Sequence, residues 1–165
     1  MTSPLLFLDV DGVLNPFPDC PPGFTEYDFF PEDDEPVRLA ALHVGWLREL
    51  AAVFDIVWAS GWGEDANRLL SPFFNLPELP LVTLPPIPFE PHEKVPGIAV
   101  FAGDRPAAWV DDNVTRSAGV GRAAQTFHTA RRGALGKGSR ASRRRRATRM
   151  ARGLSRTDEA PSERR

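Results

Sequence analysis

The stretch LLFLDVDGVLN, residues 5–15, decides how the rest of the chain is interpreted. An apolar run ends there at two carboxylates, Asp9 and Asp11, which are separated by one residue, and Gly12 follows directly. Four consecutive apolar residues predict a strand that is buried on both faces, as in a parallel sheet. Side chains alternate along a strand, so Asp9 and Asp11 should leave its end on the same side. Taken alone, the stretch is equally consistent with a buried strand closed by an Asp-Gly turn.

The composition indicates one domain of an ordinary globular protein. The chain has 165 residues, of which 42% are hydrophobic and 25% are charged, enough for a sizeable core. The single cysteine, Cys20, excludes an internal disulfide and suits a reducing compartment. Because the start of the chain lacks a basic region and its apolar run is short, we expect no signal peptide, no membrane span and a cytoplasmic location.

Charge divides the chain into two parts. Residues 116–165 contain fourteen arginines and Lys137 against three acidic residues, a formal charge of +12, whereas residues 1–115 carry −14. We therefore predict an acidic α/β domain over residues 1–115 and a basic, Arg-rich tail over residues 116–165. Since the tail has few large apolar residues, it is predicted to be disordered.

Predicted strands and helices alternate along the acidic part. Residues 16–35 are rich in proline and acidic residues and predict a loop or small flap, and residues 71–91 form a second Pro-rich segment. After the opening strand, further strands are predicted at 55–60, 81–84 and 107–112, and helices at 36–54, 64–70 and 95–101. This order is typical of an α/β domain with a mostly parallel sheet, whose ligands bind beyond the carboxyl ends of the strands.

Polar side chains follow three of these strands. Ser60 follows the second strand, and Asp111 and Asp112 follow the last, so they should converge with the two opening carboxylates. Phosphoryl transfer needs such a set: one carboxylate attacks phosphorus, a second acts as acid and base, and others hold Mg²⁺. A hydroxyl and a lysine hold the phosphoryl oxygens. With Lys94 at a helix start, the chain has a candidate for each role.

Four short motifs carry a resemblance to a known family: DVDG at residues 9–12, WASGW at 58–62, HEK at 92–94 and DD at 111–112. In this order, the chain resembles the haloacid dehalogenase (HAD) superfamily of Mg²⁺-dependent phosphohydrolases over about residues 5–113. The resemblance implies a three-layer Rossmann-like (HAD-like) α/β domain. Neither Pro-rich segment is long enough for a separate cap domain, so the cap is minimal. The site is then open, as is associated in this superfamily with bulky or macromolecular substrates.

The resemblance also implies roles for individual residues. Asp9 would be the nucleophile and a Mg²⁺ ligand. Asp11 would protonate the leaving group and then activate water, while its backbone carbonyl ligates the metal. Ser60 and Gly61 would bind the phosphoryl group, and Lys94 would neutralise Asp9 and the phosphate. Because the members that cleave carbon–halogen bonds lack the second carboxylate, Asp11 favours phosphate esters as substrates.

Asp111 and Asp112 would complete the magnesium site, and the sequence leaves open which of them binds directly. Each candidate also has an explanation without catalysis. Ser60 fits a strand-end turn, Lys94 an ordinary solvated lysine, and the aspartate pair a polar turn or helix cap. Trp62 fits either a pocket wall or the core. The four motifs together favour the catalytic interpretation.

Two functions from different classes follow from the sequence. The first is Mg²⁺-dependent hydrolysis of a phosphate monoester through an aspartyl-phosphate, on a phosphorylated substrate that the sequence does not identify. The second is a catalytically inactive HAD-like protein whose basic tail binds nucleic acid weakly. The acidic segment EDDE, residues 32–35, would repel a polyanion if it lined the site. No membrane partner is expected.

The end of the chain raises a question about the scaffold. Residues 116–138 show no convincing strand, although members of the superfamily continue with a helix and a fifth strand. Residues 116–165 are either a natural disordered extension or the product of a frame shift after about Thr115 in a GC-rich gene. The sequence leaves open whether the domain over residues 1–115 lacks its last strand.

Overall fold

The opening stretch forms the central strand of a parallel sheet in the computed structural model, which describes residues 3–33, 35–112 and the backbone of 124–126. The elements in chain order are β1 (Leu5–Leu8), β2 (Thr25–Tyr27), β3 (Val37–Leu39), α1 (Leu42–Ala51), β4 (Asp55–Trp58), α2 (Ser71–Phe73), α3 (Lys94–Ala102), β5 (Ala107–Val110) and β6 (Ala124–Thr126). The main sheet has the order β4-β1-β5-β6, and all of its pairs are parallel. Leu8 pairs with both Trp58 and Val110, so β1, β4 and β5 end at the same edge.

Helices cover both faces of this sheet. All four residues of β1 are buried, and their side chains alternate between the two faces. On one face Leu6 packs in a cluster with Leu47 of α1. On the other face Phe7 packs in a second cluster with Ile98 of α3. Burying each such side chain stabilises the fold by about 1.5–3 kcal/mol. The predicted α/β architecture with a mostly parallel sheet is confirmed.

The first helix begins later than predicted. The sequence predicts a helix over residues 36–54, but α1 begins at Leu42, and residues 37–39 form β3, antiparallel to β2. All three residues of β3 are buried, and the backbone N–H of Arg38 donates to Asn15 Oδ1 at 2.8 Å. Cross-strand pairing and this side-chain acceptor favour an extended backbone over a helical one. The predicted flap over residues 16–35 therefore contributes β2 to a two-stranded hairpin.

The apolar residues of α1 do not all face the core. Leu42 and Trp46 are 45% and 58% exposed, whereas Leu50 packs against the core cluster that contains Leu6. The buried residues of α1 are His43 and Leu47. The buried face of this helix therefore includes a histidine and does not follow the apolar residues alone.

The segment after β4 is less regular than predicted. A π-helix over Ala66–Leu70 leads directly into α2, where the sequence predicted an ordinary helix over 64–70. The strand predicted at 81–84 is reduced to one parallel bridge between Leu81 and Trp58. Prolines at 80, 85 and 86 cannot donate to a strand ladder, which limits the pairing to this point.

The main sheet has a strand after β5, in a segment where the sequence shows no convincing strand. The backbone of Ala124–Thr126 forms β6, parallel to β5, with Ala107 opposite Ala124. Backbone pairing with an existing strand does not require the long apolar run on which the sequence prediction relied. The predicted disorder of the basic tail falls almost wholly outside the described residues. No helix in the described part of the chain is long and apolar enough to cross a membrane.

Candidate active site

The structure brings together the seven residues to which the resemblance assigns a role in the reaction. One pocket is lined by Asp9, Asp11, Ser60, Gly61 and Lys94. Carboxylate oxygens of Asp9 lie within 4.8 Å of those of the remaining two, Asp111 and Asp112. The convergence follows from the parallel sheet, because the residues after β1, β4 and β5 emerge at one edge.

The Lys94 ammonium is the centre of this site. Its Nζ donates to Asp9 Oδ2 at 2.7 Å and to Asp111 Oδ2 at 2.6 Å, and the lysine is only 1% exposed. The 3₁₀ turn Pro91–Glu93, with the side chains of Glu90 and Glu93 capping it reciprocally, places Lys94 as the first residue of α3. Burial lowers the pKa of Lys94, but the two carboxylates more than offset this and raise it. The lysine is therefore a fixed, buried cation.

The Asp9 carboxylate is held by contacts to both of its oxygens. The backbone N–H of Val10 donates to Oδ1 at 2.8 Å, and Lys94 holds Oδ2. Burial raises the pKa of Asp9; Lys94 opposes this rise and Asp111 adds to it. The Ser60 hydroxyl is near enough to lower the pKa of Asp9, yet within the described residues this buried hydroxyl makes no well-formed hydrogen bond. A buried donor that lines the pocket is suited to an incoming oxygen.

Asp11 is held by two residues to which the sequence gave no contact with it, Asn15 and Trp62. Asn15 Nδ2 donates to Asp11 Oδ1 at 2.8 Å, and Trp62 Nε1 donates to Asp11 Oδ2 at 3.2 Å. Asn15 also accepts the Arg38 backbone N–H, which ties the carboxylate to β3. Trp62 thus serves the core and the site together, since it is buried and its indole N–H reaches Asp11. The only sequence signal for Asn15 was its position four residues after Asp11.

The backbone at Gly12 makes room for Asp112. Gly12 has a φ of +81°, and a Cβ at this position would lie 2.2 Å from Asp112 Cγ. Any side chain here would displace the aspartate and would also strain the backbone. Asp111 is buried against Lys94, whereas Asp112 is exposed beside Gly12.

The acidic cluster fits a magnesium ion. Asp9, Asp111 and Asp112 each offer a carboxylate oxygen, and the three oxygens lie within 4.8 Å of one another. Carboxylate oxygens are the hard ligands that Mg²⁺ takes, usually one or two together with waters and substrate oxygens. The donor chemistry and the spacing both suit this ion.

The mouth of the pocket contains two apolar side chains that the sequence did not indicate. Ile87 and Phe89, from the second Pro-rich segment, complete the lining of a cavity of about 30 Å³. The Phe89 ring centroid lies 6.0 Å from Lys94 Nζ. No periodic pattern marks these residues, because the segment is a loop. His92, although two residues from Lys94, is exposed and is not part of this lining.

Comparison with known families gives one match. Residues 5–135 match the family described as "HAD domain in Swiss Army Knife RNA repair proteins". The matched range includes every residue of the site and also β6. Comparison with curated proteins and with solved structures finds no match.

Proposed function

The chain belongs to the family of HAD domains in Swiss Army Knife RNA repair proteins, and from this premise we propose that it is a Mg²⁺-dependent phosphohydrolase acting on phosphate monoesters through an aspartyl-phosphate at Asp9. Membership places it in the HAD superfamily, whose general chemistry is of the hydrolase and phosphatase type. The observation that carries the proposal is the buried Lys94 bridging Asp9 and Asp111, with Asp11 in the same pocket.

In the first half-reaction, an Asp9 carboxylate oxygen attacks phosphorus and the bond from phosphorus to the ester oxygen breaks. Asp11, in its protonated form, gives its proton to the departing oxygen. The Ser60 hydroxyl and the Lys94 ammonium hold the non-reacting phosphoryl oxygens and offset their charge. The hydrogen bonds from Val10 and Lys94 fix the plane of the Asp9 carboxylate for this attack.

In the second half-reaction, the Asp11 carboxylate takes a proton from a water molecule as that water attacks phosphorus. The bond between Asp9 and phosphorus breaks, inorganic phosphate leaves, and both aspartates return to their initial states. Asn15 and Trp62 keep Asp11 in one orientation through both steps. Asp9, Asp111 and Asp112 would hold Mg²⁺, which when bound neutralises phosphoryl charge.

We propose a nucleic-acid end as the substrate. The family description names RNA repair, and a terminal phosphate monoester is the group that such chemistry would remove. The formal charge of +12 on residues 116–165 supports the same substrate, because arginine side chains bind backbone phosphates without sequence preference. Within the described residues, neither Pro-rich segment forms a cap domain, which supports access of a macromolecule to the pocket.

The direct test is hydrolysis of p-nitrophenyl phosphate with and without Mg²⁺, comparing the wild type with Asp9→Asn. We expect Mg²⁺-dependent turnover that Asp9→Asn abolishes. Asp104→Asn is the matched control, since Asp104 is an exposed aspartate just before β5 and outside the pocket lining. Equal rates for wild type and Asp9→Asn would overturn the proposal. Oligoribonucleotides with a 3′- or 5′-terminal phosphate then test the substrate class, with release of inorganic phosphate as the measurement.

The charge asymmetry also supports a second candidate, a nucleic-acid-binding protein whose α/β part is inactive. This function predicts binding that weakens steeply with salt and is lost when residues 131–165 are deleted. It also predicts that Asp9→Asn binds as well as the wild type and that neither protein hydrolyses a phosphate ester. Turnover by the wild type would reject this candidate.

A further inference from the structure

The polar side chains of the pocket are all assigned to the reacting groups. The lining contains Asp9, Asp11, Ser60, Gly61 and Lys94, which are assigned to the phosphoryl group and the proton, together with Ile87 and Phe89. Among these lining residues, Ile87 and Phe89 are left to contact the group that carries the phosphate.

The mouth presents a side that is apolar and partly aromatic. We define the mouth wall as Ile87 and Phe89, both of which line the pocket and are partly exposed. A Cβ at Gly61 would lie 3.6 Å from Phe89 Cζ and 3.9 Å from Ile87 Cγ2. The mouth wall thus lies close to Gly61, and the gap between them is too narrow for a ring to insert. A substrate group can contact only its outer surface.

The position of Phe89 relates this wall to the bound phosphate. Its ring centroid is 6.0 Å from Lys94 Nζ, a distance at which a group one sugar away from a phosphate on Lys94 can reach the ring. Nucleobases stack on aromatic side chains with little sequence preference, because every base has a π-face. The pocket lining has no further charged side chain to recognise a polar leaving group.

We propose that Ile87 and Phe89 form the specificity-determining surface of the enzyme and that they bind the base of the phosphate-bearing nucleotide by stacking and apolar contact. This inference rests on the proposed function, and it adds the residues that select the substrate. The ligand chemistry is a nucleoside phosphate monoester, either as a free nucleotide or as the end of an oligoribonucleotide.

The test compares substrates that differ only in the base. Adenosine 5′-monophosphate and ribose 5-phosphate share the phosphate, the ester and the sugar. A second pair consists of one 5′-phosphorylated oligoribonucleotide and the same oligomer with an abasic first residue. We expect Phe89→Ala to lower kcat/KM about tenfold for the base-containing member of at least one pair. The same substitution should leave both baseless substrates nearly unchanged.

Three variants separate stacking from packing. Phe89→Trp should retain the preference for the base, and Phe89→Leu, which keeps apolar bulk, should lose most of it. Trp46→Ala removes an aromatic residue that is 58% exposed on α1 and outside the pocket lining, so it should leave the preference intact. If Phe89→Ala weakens the preference for the base only between the two oligoribonucleotides, the ligand is an RNA end. If it does so only between adenosine 5′-monophosphate and ribose 5-phosphate, the ligand is a free nucleotide.

Binding measurements distinguish failure of this inference from failure of the proposed function. Isothermal titration of both substrate pairs into Asp9→Asn measures the preference for the base without turnover. Hydrolysis of p-nitrophenyl phosphate by the wild type measures catalysis separately. If Phe89→Ala lost as much affinity and kcat/KM for the baseless ligands as for the base-containing ones, the inference would be overturned. Phe89 would then act only through the phosphate site. An unchanged preference in Phe89→Ala, or a stronger Phe89-dependent preference for a phosphotyrosine peptide, would overturn it as well.

Discussion

Replacing Lys94 with methionine tests whether one buried ammonium holds the site together. Its Nζ lies 2.7 Å from Asp9 Oδ2 and 2.6 Å from Asp111 Oδ2, and its side chain is 1% exposed. Removing one partner of a buried ion pair leaves an uncompensated charge and costs about 3–5 kcal/mol. We expect Lys94→Met to lower the free energy of unfolding by about this amount at pH 7 without divalent cations. For a domain of this size, the Tm should fall by roughly 10–20 °C.

The size of this loss should depend on pH and on Mg²⁺. Burial and Asp111 raise the pKa of Asp9, whereas Lys94 and Ser60 oppose the rise. A carboxyl whose pKa is raised on folding contributes stability that is present below its unfolded value of 3.8 and lost as the pH rises through its folded value. Without Lys94 the rise is larger, so the stability difference from the wild type should shrink as the pH falls toward about 4. Mg²⁺ should raise the Tm of the variant more than that of the wild type, because it replaces the missing positive charge.

A matched control distinguishes a buried cation from an exposed one. Arg68 pairs with Asp65 at 2.7 Å, but its side chain is 58% exposed. Exposed pairs contribute about 0–1 kcal/mol, so Arg68→Met should leave the Tm nearly unchanged. Thermal and urea unfolding, followed by circular dichroism at several pH values, measure both variants. A Tm for Lys94→Met equal to that of Arg68→Met at pH 7 without Mg²⁺ would refute the reasoning.

Three further substitutions test other parts of the site and core. Gly12→Ala should destabilise the protein by about 1–2 kcal/mol because of the positive φ at this position. By displacing Asp112, it should also raise the Mg²⁺ concentration needed for half-maximal activity. An unchanged Mg²⁺ requirement would contradict the contact between Gly12 and Asp112. Trp62→Phe, which removes only the indole donor to Asp11, should lower kcat about tenfold on an alkyl phosphate and less on p-nitrophenyl phosphate, whose leaving group needs less protonation. Burial lowers the pKa of His43, so the wild type should lose stability relative to His43→Leu as the pH falls below about 6.5; parallel stability curves would reject this.

The sequence identified the residues that meet at the site better than the contacts that support them. Asp9, Ser60 and Lys94 could be found because each follows or begins an element whose apolar run is visible in the chain. The supports of the site were not visible in this way. Asn15 and Trp62 act through contacts between residues distant in sequence, with Trp62 lying 51 positions from Asp11, and no local pattern encodes such a contact.

The errors in the fold have a related cause. The short strand β3 lies within a pattern that also fits a helix, and only its pairing with β2 decides between them. The strand β6 has three residues and no apolar run, and it depends on the edge of β5 for its hydrogen bonds. In both cases, tertiary contacts override local propensity.

The hydrogen bond from Arg38 to Asn15 makes the alignment of the small hairpin a condition for the proton transfer proposed for Asp11. Asn15 receives the Arg38 N–H through Oδ1 and positions Asp11 through Nδ2. If β3 slipped by one residue against β2, a neighbouring residue of opposite orientation would face the Asn15 amide. The amide would lose its donor and could rotate away from the carboxylate. Insertions in the segment between β2 and β3 should therefore impair turnover while leaving the proposed nucleophile, the lysine and the proposed metal ligands intact.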